Sequence, residues 1–254
     1  MSVRNLSGTT AIVTGASRGF GKATVVSLAA QGIHVVGVAR NKRLLGELKE
    51  QLGEAFTPEV ADVADRSLAA RLLSRYRPQT LVLNAGATPT VGTLREQTWE
   101  AFSANWNLDV FHVFNFTREA LTTPLEPGSV VVSLSSAAAL RGSPLSGGYA
   151  GAKSTIKLIS AYAGSESVRA GLNIRFVAAL PQLTPATSLG RIYTDAYAAQ
   201  AGLSETEFLG RLGGSLSADQ AANSISELVT DDACAAPAYL VTPAGLQALE
   251  TAKL

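Results

Sequence analysis

Cysteine is nearly absent from this chain of 254 residues. Cys234 stands alone, so no internal disulfide framework can form, and one thiol is compatible with a reducing compartment. Histidine is almost as scarce. His34 and His112 have no partner at metal-ligand spacing, so no metal site is expected. Excess charge of either sign is missing too, with Lys+Arg 21 against Asp+Glu 20. Without a global field, nucleic acid and anionic membrane are excluded as main partners, although a local basic cluster still suits a phosphate. Long apolar runs are also lacking: Gly, Ser and charged residues interrupt every hydrophobic stretch before the roughly 18 residues a membrane helix needs. The segment Met1 to Gly8 has no signal-peptide-like apolar stretch, so export is not expected and a cytoplasmic location is.

What is present is a rhythm. Short β-branched runs recur at Thr9 to Thr14, Ile33 to Ala39, Thr80 to Leu83, Ser129 to Leu134 and Asn173 to Ala178, with a weaker one at Phe56 to Val60. Helix-length segments lie between them, at Gly19 to Gln31, Arg43 to Leu52, Asp65 to Tyr76, Thr98 to Leu121 and Tyr149 to Ala170. Near-continuous apolar strands alternating with helices predict an α/β fold. It would be one doubly wound parallel sheet with helices on both faces, forming a single domain over 1–254. Residues 181–216 break the rhythm with Pro, Thr, Ser and Gly between short helical pieces. They read as a substrate lid placed after a strand's carboxyl end, before a last helix from Ser217 to Thr230.

The turn Thr14-Gly15-Ala16-Ser17-Arg18-Gly19-Phe20-Gly21 follows the first strand and opens the first helix. Gly15, Gly19 and Gly21 let the backbone approach a pyrophosphate closely. Ser17, Arg18 and Phe20 lie on the same turn, with the helix N-terminus behind them. A second absence then matters. After the second strand, where an NAD site would carry an acid against the ribose 2′-hydroxyl, the chain reads Val38-Ala39-Arg40-Asn41-Lys42-Arg43, with no acid before Glu47. Arg40 suits a 2′-phosphate, Arg18, Lys42 or Arg43 can add charge, and Asn41 lies beside it, so NADP(H) is the cofactor expected. Asp62-Val63 and Asn84-Ala85-Gly86 end the third and fourth strands and line the same crevice, the Asp as acceptor for an adenine amino group.

Ser136 follows the fifth strand, and Tyr149 and Lys153 share one face at the start of the longest helix. A free phenol has a pKa near ~10, and a neighbouring ammonium stabilises its phenolate. Such a trio can reduce a carbonyl: Ser136 donates a hydrogen bond to the substrate oxygen, Tyr149 protonates it, and Lys153 tunes Tyr149. With T-G-x-x-x-G-x-G and Y-x-x-x-K in this order, residues 6 to 182 resemble the short-chain dehydrogenase/reductase family. The resemblance implies a Rossmann-type domain, a nicotinamide cofactor also held by Tyr149 and Lys153, a homodimer or homotetramer, and an Asn, Ser, Tyr, Lys tetrad. The Asn would hold a water linking Lys to solvent. Asn105 and Asn107 are both candidates, and the family's spacing favours Asn107, with Asp109 and Phe111 downstream.

The chain departs from the family at Pro181-Gln182, where Pro-Gly is usual, so the nicotinamide carboxamide is assigned to Pro181, Leu183 and Thr184, or Thr187. The segment Ala236 to Val241 lacks a glycine-ended last strand. The substrate expected is a small, mostly apolar carbonyl or alcohol in a pocket built from Pro89 to Leu94, Ala137 to Gly148 and the lid. Small residues at Gly147 and Gly148, with Leu140 and Leu145, would leave room beside Tyr149. Two other readings remain open: a cofactor-binding sensor without turnover, and an epimerase or dehydratase using the same Tyr.

Overall fold

The computed structural model describes residues 4–249, so the outermost ends of the 1–254 domain lie outside the described residues. In chain order the first half comprises β1 (Thr10–Thr14), α1 (Gly19–Ala30), β2 (His34–Ala39), α2 (Lys42–Leu52), β3 (Phe56–Val60), α3 (Leu68–Tyr76), β4 (Thr80–Leu83) and α4 (Trp99–Asn105). A π-helical turn (Trp106–Val110) joins α4 to α5 (Phe111–Thr122), followed by β5 (Val130–Leu134), α6 (Ala138–Arg141), α7 (Gly147–Arg169) and β6 (Arg175–Pro181). The remainder is α8 (Ser188–Ala201), α9 (Glu205–Arg211), α10 (Ala218–Thr230), β7 (Ala238–Thr242) and β8 (Gly245–Ala248).

All eight strands form one sheet in the order β3-β2-β1-β4-β5-β6-β7-β8, parallel throughout except for the antiparallel β7–β8 pair. Strand side chains alternate between faces, and the core divides accordingly. Ala11 and Val13 of β1 join Val25 and Leu28 of α1 and Ile225, Leu228 and Val229 of α10 on one side. Ile12, between them, packs on the other side with Leu72 of α3, Phe116 of α5 and Ile156 of α7. Every residue of β5 is buried, as a strand covered on both faces requires.

Two expectations are corrected. The helix expected over Thr98 to Leu121 is interrupted by the π-helical turn, because hydrophobic spacing does not register one extra residue per turn. The sixth strand begins and ends later than expected. Asn173 sits at φ 53, a left-handed turn, and the strand then continues to Pro181, paired with Val241 of β7. The C-terminal stretch, whose place the sequence left open, enters the sheet as β7, followed by the β8 hairpin. Among the described residues no helix is long and apolar enough to cross a membrane.

Candidate active site

The strand order reverses between β1 and β4, which leave the sheet's centre in opposite directions. A crevice opens at their carboxyl ends. There the structure has a cleft of ≈ 730 Å³. Gly15, Ser17, Arg18, Gly19 and Phe20 line one end of it. Gly15 and Gly19 have φ of 66° and 55°, conformations that suit a residue without Cβ. The start of α1 has no side-chain cap and no acid in its first turn, whereas α2, α8, α9 and α10 are all capped by side chains. Uncapped first-turn N–H groups beside the cleft make a site for an anion.

Asn84 braces this turn from β4. Its Nδ2 donates to Thr14 O (3.0 Å) and Gly15 O (3.3 Å), while Thr14 Oγ1 accepts from the N–H groups of Asn84 and Ala85. Gly21 does not line the cleft. A Cβ there would lie 2.2 Å from Gly15 O, so Gly21 serves the packing of α1 on the turn. After β2 and β3, Arg40, Asp62 and Val63 do line the cleft, as do Ala85 and Gly86 after β4. Arg40 is exposed and paired with Asp62, Nη1 to Oδ2 3.7 Å, so the two residues expected to meet separate parts of a ligand meet each other. Asn41 is outside the cleft. Its Oδ1 accepts from Leu44 N (3.1 Å) and caps α2.

Ser136, Tyr149 and Lys153 line the other part of the same cleft. The Lys153 ammonium lies 5.5 Å from the Tyr149 ring centroid, donates to Leu134 O at the end of β5 (3.0 Å), and pairs with Asp109 Oδ2 (3.2 Å). Burial alone would push the Lys153 ammonium down, but the Asp109 carboxylate, and after it Tyr149, outweigh burial and hold it above the ordinary lysine value. The π-helical turn sets which residues face this point. Asn105 and Asp109 are buried, whereas Asn107 is turned outward, exposed, with Nδ2 3.4 Å from Ser103 Oγ. Asn107 therefore does not join Ser136, Tyr149 and Lys153. Asp109 stands against the lysine instead, and only the helix's change of pitch, invisible in the spacing of asparagines, brings it there.

The substrate end also differs from expectation. Gly148 leaves no room beside Tyr149, because a Cβ on it would lie 1.9 Å from Phe102 O, so the small residues admit α4 against α7. Residues 89–94, Leu140 and Leu145 do not line the cleft. An aromatic ladder does. The Tyr149 ring stacks on Tyr193 (centroids 6.4 Å), Tyr193 lies tilted against Tyr197 (6.3 Å), and Tyr197 stacks on Phe208 of α9 (6.3 Å). Tyr193 and Tyr197 lie four residues apart on α8 and so share a face, the sequence signal that could have found them. Tyr197 OH also accepts from Leu145 N (3.2 Å) and bonds Ser143 Oγ, tying α8 to the segment before α7. Burial pushes the Tyr193 phenol up to about 12. Pro181, Leu183 and Thr184 line the cleft, but the Thr184 hydroxyl is committed to Leu216 O and Ala186 N, and Thr187 caps α8.

Comparison with known proteins gives these features a family. The family model for short chain dehydrogenases matches residues 9–195. An uncharacterised short-chain type dehydrogenase/reductase of Sinorhizobium fredii is 30% identical over 189 residues, covering 74% of this chain and 71% of that protein. L-xylulose reductase of Mesocricetus auratus is 33% identical over 129 residues, 50% of this chain and 52% of the enzyme, and carbonyl reductase [NADPH] 2 of Sus scrofa is 31% identical over 130 residues, 50% and 53%. The chain thus spans about half the length of these two reductases. In fold it is similar to 3-ketoacyl-(acyl-carrier-protein) reductase of Brucella melitensis, solved with NADH, with a TM-score of 0.75 and 24% identity over 93% of this chain and 97% of that one. With the model matched from β1 into α8 across this reversing sheet, the chain belongs to the short-chain dehydrogenase/reductase family.

Proposed function

We propose that this chain is an NADP(H)-dependent oxidoreductase interconverting a small carbonyl and its alcohol, with Tyr149 as general acid and base. The observation that carries the reading is one continuous cleft joining the uncapped, glycine-rich start of α1 to Ser136, Tyr149 and Lys153. The names of the reductases and of the NADH complex point the same way.

A nicotinamide, when bound, supplies or accepts the hydride. The chain's own residues do the rest. The start of α1 and the Gly15 and Gly19 backbone hold the pyrophosphate. The Ser136 hydroxyl donates a hydrogen bond to the substrate oxygen, and the Tyr149 hydroxyl gives that oxygen its proton in reduction or takes it in oxidation. The Lys153 ammonium stabilises the phenolate left behind. Tyr193, Tyr197 and Phe208 present apolar rings to the substrate, residues 181–216 act as its lid, and the neighbouring alkyl side chains Leu189 and Ile192 extend that apolar wall. Exposed Phe114 on α5 and Leu158, Tyr162 and Val168 on α7 support assembly as a homodimer or homotetramer.

The test is a spectrophotometric screen of NADPH oxidation across ketones, quinones and β-ketoacyl esters. Turnover of at least one class is expected, and no turnover with any of them, by protein shown to bind NADPH, would overturn the reading. Cofactor choice has its own test. Arg40 supports a 2′-phosphate, and charge-assisted hydrogen bonds are worth about 1.5–3 kcal/mol, roughly a 10- to 150-fold preference. Arg40→Asp is expected to move the NADPH:NADH ratio of kcat/KM toward NADH by that order. A wild-type enzyme that already prefers NADH would sink the phosphate assignment.

A further inference from the structure

The Lys153 side chain is 7% exposed and the Asp109 side chain 1%, so this ion pair at the wall of the cleft is almost withdrawn from water. Removing two charges from water is costly unless each is fully paired and bonded. Here the carboxylate is well supplied: Asp109 Oδ1 accepts from Ala87 N (2.7 Å), and Oδ2 accepts from Lys153 Nζ and from Asn105 Nδ2 (3.3 Å). Asn105 is fixed in turn by donating to Ala87 O (3.0 Å). Gly86 completes the enclosure, since a Cβ on it would lie 2.8 Å from Asp109 Oδ2. Four elements therefore converge to hold one ionised carboxylate against the lysine: the loop after β4, α4, the π-helical turn and α7.

We propose that Asp109 is a positioning residue for the reaction: its buried carboxylate neutralises Lys153 and sets the pH at which the Tyr149–Lys153 pair releases a proton, holding it above the value the lysine alone would impose. Among the described residues, the other titratable groups facing the pair are His112 from α5 and Tyr193 from α8. Burial, then the Lys153 charge, pushes His112 down to about 3, and burial pushes Tyr193 up to about 12, so neither is charged in the working range. Among the described residues, Asp109 is the carboxylate that meets the ammonium. Which of Tyr149 and Lys153 gives up the proton does not change the sign. A negative neighbour retains a proton on the pair, so removing it makes the site one unit more positive and lets the proton leave at lower pH.

The inference rests on the reading of Tyr149 as general acid and base, and its test separates the two. Tyrosine labelled at Cζ with ¹³C reports phenol ionisation by NMR in the protein without ligands, and Tyr149→Phe assigns the signal. Asp109→Asn, nearly isosteric, is expected to lower the pair's first titration midpoint by about one pH unit or more, a tenfold or larger loss of proton affinity, read at Tyr149 Cζ if the phenol gives up the proton and at ¹³C-labelled Lys153 Cε if the ammonium does. The pH limb of kcat/KM should move with it. Asp109→Ser reads the same shift should the Asn variant not fold. Asn105→Ala weakens the support but keeps the charge, so its midpoint should stay in place. An unmoved midpoint in folded Asp109→Asn or Asp109→Ser overturns the proposal, as does an equal shift in Asn105→Ala, which would make the effect structural. Full turnover in Tyr149→Phe would instead sink the reading of Tyr149, while the NMR comparison would still report on Asp109.

Discussion

Replacing Tyr149 by Phe is expected to lower kcat by roughly 10²–10⁴-fold, the range that one positioned general acid or base supplies. NADPH affinity should change by no more than a few fold. The substitution removes one hydroxyl and keeps the ring, so the stacking on Tyr193 at 6.4 Å survives. Lys153 keeps Leu134 O and Asp109 as partners, so its ammonium does not become an unpaired buried charge. Steady-state turnover on a substrate from the carbonyl screen, beside a fluorescence titration of NADPH, separates loss of chemistry from loss of binding. Turnover within a few fold of wild type would require another proton donor at the cleft, where Tyr193 is the nearest ring, stacked on Tyr149.

The second large effect concerns stability in acid. His112 is fully buried, and among the described residues neither ring nitrogen makes a hydrogen bond of good geometry, the Ala85 backbone being only a weak partner. Burial first, and then the positive charge of Lys153, lowers its pKa from 6.5 to about 3. The unfolded chain therefore binds a proton that the folded one refuses between those values. Stability is unaffected by this group above about pH 6.5 and falls as pH drops toward 3, by at most about 1.4 kcal/mol per unit. His112→Leu removes both the titration and two poorly satisfied buried nitrogens in a site already packed against Phe116, 5.2 Å from centroid to centroid. The variant is expected to match or exceed wild type at pH 7 and to lose less stability on acidification, read as urea midpoints at pH 7, 5.5 and 4.5. Parallel losses in both proteins would show that His112 does not drive the acid sensitivity.

Both predictions rest on groups whose importance was unequally visible in the chain. Tyr149 and Lys153 were legible because a helix places i and i+4 on one face whatever surrounds it. Gly15 and Gly19 were legible because a strand-to-helix turn makes a local demand on φ, met at 66° and 55°. His112 was only a histidine without ligand partners, since its burial comes from packing between α5 and the sheet.

The sequence by itself determined the layered α/β plan, the order of the strands through β6, and the placing of Ser136, Tyr149 and Lys153 at one cleft. Those follow from side-chain periodicity and turn chemistry, which act over a few residues. The tertiary structure decided what lies across space. It turned Asn107 outward and Asp109 inward through one π-helical turn, filled the gap at Gly148 with the backbone of Phe102, and paired Arg40 with Asp62. It also set an aromatic ladder from α8 and α9 beside Tyr149. The physical reason is the same each time. A contact between segments distant in the chain depends on helix pitch and on the closeness of packed backbones, and neither is written in the spacing of residue types along one segment.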